Sequence, residues 1–406
     1  MRKPSDTAPE PLIGRAEFIA LMAMLVATVA FSIDAMLPAL PQIAGELSPK
    51  APNKAQLIVT SFVLGMGLGT FVSGPLSDAY GRRRVILRGS GLYVFACVLA
   101  WAATSLETVV AARILQGLGA SAARVVPMAM TRDYYSGRGM ARIVSFIMMV
   151  FTLVPAVAPL MGSMVIAAAG WRGLFAVFTV FSVVSVAWLY LRVAEPLAIQ
   201  DRRPFRPRAL RRSVQEVMAH PTVRMSTVIQ TLCMSALFSS LSSIHQIFDV
   251  TYDRAASFPW WFGGIALVSG GFSLFNASVV ERLGMRRLVR AAMIGLIALT
   301  LVMLAASVMA GPLPFALYVV WQAGVFVHIS LTLGNLTAIA LEPMGHMAGT
   351  AASVFSALAT VAAVVLSVPI GLMFNGSPLP LMTGVLVVTS FGYLLMRSLP
   401  GEEERV

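Results

Sequence analysis

A short charged turn reads Gly74-Pro-Leu-Ser-Asp78-Ala-Tyr-Gly81-Arg82-Arg83-Arg84 and decides the fold. It separates two apolar runs, each of the length that a helix needs to cross about 30 Å of hydrocarbon. A shift of 203 residues, half of the 406 in the chain, lays this turn over the segment from Ala277 to Arg287. Acid, glycine and arginines recur there in register, which predicts a parallel internal repeat of two similar halves.

The composition extends this prediction to the whole chain. Of all residues 58% are apolar and 12% are charged, and the mean hydropathy of +0.81 is far above that of a domain that must solvate its surface. Apolar runs of about 20 residues predict an all-α membrane protein with twelve transmembrane helices in two six-helix bundles. The predicted spans lie near 18–40, 56–77, 85–104, 108–130, 143–168, 172–193, 223–249, 258–280, 288–309, 313–341, 348–373 and 378–397.

The charges predict domain limits and orientation. The arginine-rich connection 194–222 is predicted to be a cytoplasmic linker between an N-terminal bundle, 1–193, and a C-terminal bundle, 223–406. Of the 30 lysines and arginines, 24 lie at the termini or beside the even-numbered loops. This bias predicts a multi-pass protein of a bacterial inner membrane with both termini in the cytoplasm. Because the basic residues form short clusters between apolar runs, a nucleic-acid partner is not expected.

The charged turn resembles the cytoplasmic signature G-x-L-x-D-x-x-G-R-R of the major facilitator superfamily, and the likeness covers the whole chain. The resemblance implies a transporter in which two bundles alternate in opening to either side. Asp78 would pair with arginines and with a helix N-terminus to hold one state, while glycines permit a tight turn. The gating residues implied in the two halves are Gly74, Asp78, Gly81, Arg82, Arg83, Glu281 and Arg286.

Two further motifs refine the resemblance. Arg113-Ile-Leu-Gln116-Gly-Leu-Gly in span 4 is similar to the R-x-x-Q-G-x-G pattern associated with proton coupling. Span 5 contains Pro155, Pro159 and Gly162 and resembles the glycine- and proline-rich motif of drug:proton antiporters, with Ala158 where that motif has glycine. The nearest likeness is the Bcr/CflA drug-resistance branch, which implies export of drugs or metabolites in exchange for protons.

Three ionisable side chains are predicted to lie deep in the hydrocarbon, namely Asp34, Arg113 and Arg124. Such groups cost at least about 2.5–3.5 kcal/mol to insert and are usually functional. Asp34 lies roughly 9 Å before the end of span 1 at Leu40, and Arg113 about 8 Å into span 4, so their depths agree. We expect Asp34 to carry the proton or bind substrate and Arg113 to control its protonation. A static ion pair within the bundle is the alternative.

The substrate cavity is predicted less sharply. Arg113 and Arg124 lie about three turns and 16 Å apart on one helix face, which suits anionic or amphoteric substrates as readily as lipophilic cations. Arg124 has the alternatives of reaching the cytoplasmic interface or pairing with Asp133. An intramembrane histidine is as consistent with a structural hydrogen bond as with a proton relay. The candidate substrate-binding residues are Asp34, Gln116, Arg124, Phe238, His245, Trp321, Gln322 and Asn335.

The chain lacks the sequence patterns of other energy sources. It has no phosphate-binding loop of the GxxxxGK[ST] type and no metalloprotease or nucleophile-elbow motif, so neither an enzyme nor a cofactor or metal site is expected. The expected partners are a small molecule, protons and lipid, with the chain acting as a monomer. Proton-coupled uptake remains an alternative, and a channel or membrane enzyme is an alternative of a different class.

Overall fold

A computed structural model describes residues 13–202 and 204–399 of the chain. Helices are the only regular elements in these described ranges. Contacts divide the chain into two units. The first unit runs up to Ile43 and continues over Ser61–Pro207, and the second comprises Ala44–Thr60 and the residues from Arg208 onward. Both termini are predicted to lie in the cytoplasm, and they fall outside the described residues.

Six helices carry the first unit. Helix α1 packs on α5 and α6, and α4 packs on α5 and α6. One buried cluster, with Phe18, Val126 and Ile147 among its members, joins these helices at the end where α1 begins. Their bounds are α1 Arg15–Asp34, α2 Leu40–Leu47 (which extends into the second unit), α3 Leu57–Tyr80, α4 Arg82–Trp101, α5 Leu106–Tyr134 and α6 Gly137–Arg192.

The first predicted span is not one helix. Helix α1 ends at Asp34, and after a turn a short 3-10 helix, Leu37–Ala39, leads into α2. Pro38 explains the break, because proline has no N–H and cannot bond the carbonyl of Asp34 four residues earlier. The depth predicted for Asp34 assumed a continuous helix up to Leu40. Because α1 ends at Asp34, this estimate no longer applies, and Asp34 lies at a helix C-terminus.

The fifth and sixth predicted spans form the single element α6. Gly170 interrupts it with φ 66° and ψ −179°, a conformation that suits a residue without Cβ. In the described residues eleven elements are long and apolar enough to cross a membrane, and the break divides the longest of them in two. The count of twelve spans is thus confirmed.

Seven helices carry the second unit. Helix α8 packs on α11, α12 and α13, while α10 packs on α11 and α13. Two buried clusters form its core, one around Val289, Leu336 and Met396 and one around Val217 and Phe355. The bounds are α7 Pro207–Ala219, α8 Pro221–Gln246, α9 Phe258–Leu283, α10 Met285–Ala310, α11 Phe315–Leu341, α12 Ala348–Leu372 and α13 Leu379–Ser398. Helix α7 occupies part of the predicted linker, and the predicted bundle limits stay a prediction.

Polar side chains anchor the segment Ala44–Thr60 within the second unit. Gln246 donates to Asn53 Oδ1 at 2.7 Å, and Gln56 donates to Gln246 Oε1 at 2.7 Å. Asn53 also donates to the carbonyl of Phe374 at 2.8 Å, just beyond α12. Gln56 is buried and accepts a hydrogen bond from Ser243 of α8. Side-chain amides therefore tie this connection to α8 and to the end of α12.

The two halves repeat the backbone of the charged turn. Gly81, between α3 and α4, has φ 97° and ψ 151°, and Gly284, between α9 and α10, has φ 80° and ψ 143°. Positive φ at both sites favours glycine over other residues. The 203-residue repeat is thus present in the backbone, at the positions that the sequence shift predicts.

Candidate functional site

Asp34 is an isolated acid in the interior of the first unit. It is the last residue of α1, and the residue is 5% exposed. No hydrogen bond or ion pair joins its side chain to any other residue that the structure describes. Broken transporter helices place their C-terminal ends where they hold coupling ions. A buried carboxyl group at such an end, without a protein partner, is suited to gaining and losing a proton.

Arg113 lies in the same unit and binds α1 next to this acid. Its guanidinium donates to the carbonyl of Ser32 at 3.0 Å and to Gln116 Oε1 at 2.6 Å, and it lies 4.3 Å from the ring centroid of Phe62. The residue is fully buried. Arg113 therefore contacts the backbone two residues before Asp34 instead of pairing with the carboxylate, so the alternative of a static ion pair is not the arrangement observed.

Further polar groups surround Arg113. Gln116 donates to Cys97 Sγ at 3.0 Å, and the hydroxyls of Ser32 and Tyr93 lie 2.5 Å apart. The predicted role of Gln116 in substrate binding remains a prediction, because its amide bonds other protein groups here. Tyr93 escaped the sequence reasoning, since a tyrosine in an apolar span carries no distinguishing local signal.

Glycines let the helices around these residues approach closely. A Cβ on Gly117 of α5 would overlap the carbonyl of Phe62 in α3, and one on Gly65 would overlap the carbonyl of Ile114. Backbone contact of this kind needs glycine on both sides. The glycine in the Q-G-x-G pattern thus has a packing reason, because it fixes α5 and Arg113 against the helix that carries Phe62.

The antiporter-like motif lies against the end of α1. A Cβ on Gly162 would overlap the carbonyl of Ala35, the residue after Asp34. Pro159 is buried, and Pro155, one turn earlier, is half-buried. Prolines inside a helix remove backbone hydrogen bonds and favour a bend. The motif therefore determines how closely α6 approaches the backbone next to Asp34, the predicted proton carrier.

Arg124 is the second deep cation. Its guanidinium contacts Met66 Sδ at 3.4 Å, a weak acceptor, and no ion pair joins it to a described acid. Asp133, considered above as a partner for Arg124, instead accepts from Arg82 Nε at 2.7 Å. The half-buried guanidinium of Arg124 thus contacts a thioether and forms no ion pair with a described carboxylate, and its role in substrate binding stays a prediction.

The charged turn forms an ion network around Arg82. Arg82 Nη1 lies 2.5 Å from Asp78 Oδ1 and 2.7 Å from Ser77 Oγ, in addition to the bond with Asp133. The Arg82 side chain is 9% exposed, whereas the Asp78 side chain is 46% exposed. One buried arginine thus connects the end of α3 with the end of α5, as the signature implied for Asp78 and an arginine.

A carboxylate that the sequence analysis missed completes this network. Glu195, beyond the end of α6, accepts from the backbone N–H groups of Arg82 and Arg83 at 2.8 and 2.9 Å. A helix N-terminus attracts an anion, and we expected Asp78 to serve one. Glu195 caps α4 here. Arg83 also donates to the carbonyl of Tyr190 at 2.6 Å, so hydrogen bonds join the turn both to α6 and to the chain just beyond it.

The second copy of the turn lacks these ionic contacts. Met285 stands at the position of Arg82, and Glu281 is exposed, without a hydrogen bond or ion pair to a described residue. Arg286 donates to the carbonyl of Leu399 at 3.3 Å. Among the described residues, the repeat therefore preserves the shape of the turn and not the contacts that Arg82 makes. Gating roles for Glu281 and Arg286 stay predictions, as does that of Gly74.

The candidate substrate residues of the second unit are buried in its interior. Gln322 donates to Ser240 Oγ at 2.5 Å, and Trp321 donates to Thr300 Oγ1 at 3.0 Å. Asn335 donates to Asn276 Oδ1 at 2.9 Å. The ring centroids of His245 and Phe258 lie 4.6 Å apart in an edge-to-face arrangement. Phe238 is 6% exposed. Their role in substrate binding stays a prediction.

Several known proteins are similar to this chain. An uncharacterized MFS-type transporter from Bacillus subtilis is 28% identical over 345 residues, which cover 83% of this chain and 84% of that protein. A bicyclomycin resistance protein homolog from Haemophilus influenzae is 26% identical over 343 residues, covering 84% of this chain and 85% of that protein. The crystal structure of a D-xylose-proton symporter matches with a TM-score of 0.75 over 95% of this chain and 98% of that one. At 14% identity this last likeness shows the fold alone.

A family model covers nearly all of the described helices. The model described as Major Facilitator Superfamily matches residues 20–367, which include the charged turn, Asp34, Arg113 and the proline motif of α6. The resemblance drawn from the motifs is thereby confirmed. This multi-pass membrane protein belongs to the Major Facilitator Superfamily.

Proposed function

We propose that this protein exports small molecules across the bacterial inner membrane in exchange for protons, by alternating access. The observation that carries the proposal is Asp34, a buried carboxyl group at a helix break that has no bonding partner among the described residues. The free energy needed to bury a carboxyl group in this setting is too high for a role in packing alone. Proton exchange gives it a role.

In the proposed cycle the Asp34 carboxylate takes one proton from the outer side and releases it on the inner side. Arg113 supports the release step, because its guanidinium already bonds α1 at the Ser32 carbonyl. A small shift of α1 along α5 would exchange that carbonyl for the carboxylate as partner. An approaching cation favours the charged acid, so the proton would leave when the shift occurs.

Two features support export over uptake. The relative from Haemophilus influenzae is named for bicyclomycin resistance, which is a drug-resistance phenotype. Pro155, Pro159 and Gly162 resemble the antiporter motif, and Gly162 packs on the residue that follows Asp34. The motif is therefore positioned to couple a bend of α6 to the proton-binding end of α1.

The substrate site is proposed to include Arg124 and Asp34 of the first unit. An anionic or amphoteric substrate would neutralise Arg124, and a lipophilic cation would pair with Asp34. Both an acid and a base are present, so we expect transport measurements with cations and anions to decide between these substrate classes.

Purified protein reconstituted into vesicles with an interior pH dye tests the proposal. Lipophilic cations, neutral antibiotics and organic anions are added in turn under an imposed pH gradient. Substrate movement against proton movement, abolished by a protonophore, is expected for at least one class. Proton movement in the same direction as substrate would establish uptake instead, and a flux that neither saturates nor responds to protonophore would establish a channel.

A further inference from the structure

A basic pocket opens on the first unit where α1 and α6 begin. Its volume is about 470 Å³, and it is lined by Arg15, Ala16 and Ile19 of α1 and by Gly139, Arg142, Ile143 and Phe146 of α6. Arg138 lies on the same first turn of α6. All three arginines are exposed, and they stand at the helix ends, where a membrane-spanning segment meets the headgroups.

No carboxylate of the described residues neutralises this cluster. The nearest acid in sequence, Glu17, binds Arg192 at 2.8 and 3.0 Å and Trp188 at 3.1 Å. Arg15 lies over the ring of Tyr135, and Arg142 lies over that of Phe146. The guanidinium carbons of Arg15 and Arg142 lie 6.0 and 5.9 Å from these ring centroids, and their charge stays available to an anion.

An apolar groove continues the pocket along the same two helices. Its volume is about 520 Å³, and Phe181 from the second segment of α6 closes one side. The α1 residues that line the pocket and the groove extend from Arg15 to Phe31, which spans about 24 Å at 1.5 Å per residue. One leaflet of hydrocarbon is about 15 Å thick, so the groove has room for an acyl chain.

We propose that this pocket and groove form a binding site for an anionic phospholipid, with its phosphate at Arg15 and Arg142 and one acyl chain along the α1–α6 groove. Charge complementarity selects the headgroup, and the apolar lining of Ala20, Met24 and Val157 accommodates the chain. Basic pockets between transmembrane helices at the membrane surface bind anionic lipids in this manner. The site is separate from Asp34 and Arg113 and does not depend on which substrate is transported.

Native mass spectrometry of the full-length protein tests the site. Delipidated protein receives phosphatidylglycerol or phosphatidylcholine, and the bound lipid is counted. We expect preferential retention of phosphatidylglycerol, and the variant Arg15→Gln/Arg142→Gln should weaken it about thirtyfold, about fivefold for each arginine. The matched control Arg208→Gln/Arg211→Gln removes two exposed arginines from α7 and should retain the lipid.

A second variant tests the groove without changing charge. Ala20 is exposed at the start of the apolar lining, and Ala20→Phe would fill that space. We expect weaker retention of phosphatidylglycerol with unchanged thermal stability in phosphatidylcholine. Inorganic phosphate at millimolar concentration should not displace the lipid, because the acyl chain contributes to binding.

Three results would overturn the proposal. The first is equal retention of phosphatidylglycerol by the wild type and the Arg15→Gln/Arg142→Gln variant. The second is displacement of the lipid by inorganic phosphate alone, which would make the site one for free anions. The third is lipid binding that arises only after residues 1–12 are deleted, which would make the N-terminal segment the occupant of the groove.

Discussion

A single carboxyl group carries the coupling hypothesis at the scale of residues. Asp34→Asn keeps the size of the side chain and removes the exchangeable proton, so we expect proton-driven transport to fall to the leak rate of protein-free vesicles. Folding should be retained, because no described hydrogen bond to the Asp34 side chain is lost. The vesicle assay with the pH dye measures the effect.

Asp34→Glu is the matched control for that variant. It keeps an ionisable group one methylene further from the backbone and should retain part of the activity. Normal proton-driven efflux by Asp34→Asn would refute the carrier role. Loss of folding in the asparagine variant alone would indicate a structural role for the acid.

Asp78 contributes at the same scale to the charged turn. Asp78→Ala removes a charge-assisted bond to Arg82, which is worth about 1 kcal/mol in a half-exposed position. We expect turnover to fall about three- to tenfold, since the balance between states shifts by a similar amount, while substrate binding is kept. Transport rate and equilibrium binding, measured on the same preparation, separate the two effects.

The exposed Arg84 provides a comparison for Asp78. No described hydrogen bond, ion pair or ring contact involves its side chain, so Arg84→Ala should leave turnover unchanged. Unchanged turnover in Asp78→Ala as well would contradict a gating role for the turn.

At the scale of elements, the contact between α1 and α6 depends on one glycine. Gly162→Ala would place a Cβ into the carbonyl of Ala35 and force the helices apart. We expect a loss of about 1–3 kcal/mol in unfolding free energy and a loss of transport. Unfolding in detergent micelles measures the first effect and the vesicle assay the second.

Gly264 of α9 supplies the control for this packing argument. A Cβ there meets no atom within 4 Å, so Gly264→Ala should be neutral or slightly stabilising. Equal effects of the two substitutions would mean that close approach at Gly162 is not the cause.

The N-terminus of α4 is stabilised by Glu195, a carboxylate that is distant in the sequence. Glu195→Gln removes the negative charge that accepts two backbone N–H groups, so we expect α4 to lose about 1 kcal/mol of local stability. Hydrogen exchange at the backbone amides of Arg82 and Arg83 should accelerate, whereas amides in the middle of α4 should not change. Unaltered exchange at both amides would show that water caps the helix as well as the carboxylate does.

The backbone geometry of the charged turn could be predicted because it depends on local sequence. The residues that pair with its charged groups could not be predicted in this way. Positive φ at Gly81 and Gly284 follows from the spacing of two glycines in a repeat. The approach of Glu195 to α4 depends on how α6 ends in space, and nothing near Arg82 in the sequence announces it. The break after Asp34 lies between these cases, since Pro38 four residues later was a visible signal that the span assignment did not use.

The candidate residues of the first unit could be predicted more sharply than those of the second unit. Hydropathy singles out Asp34, Arg113 and Arg124, because few charges enter the apolar runs. The candidates of the second unit rest on polar or aromatic character alone. Such side chains serve equally as hydrogen-bonding members of a helix core, which is where Trp321 and Gln322 lie.

At the scale of the whole molecule, the placement of the lysines and arginines predicts the orientation in the membrane, because 24 of the 30 lie at the termini or in and beside the even-numbered loops. Cysteines introduced at Arg208 and Lys50 should react with an impermeant thiol reagent only from the cytoplasmic and the outer side, respectively. The native Cys97 and Cys233 are both buried, which keeps the background low. Labelling of both positions from one side would contradict twelve spans with cytoplasmic termini.

The two copies of the charged turn differ in their expected response to ionic strength. Mobile ions weaken the contact between Arg82 and the half-exposed Asp78 at molar salt, where the screening length of about 3 Å becomes comparable with the 2.5 Å distance between the charged groups. The copy with Met285 lacks the guanidinium of Arg82, and its Glu281 forms no ion pair with a described residue. Molar electrolyte should therefore weaken the hairpin that contains Arg82 and Asp78 more than the hairpin that contains Met285, so the two products of one duplication have come to differ in their response to salinity.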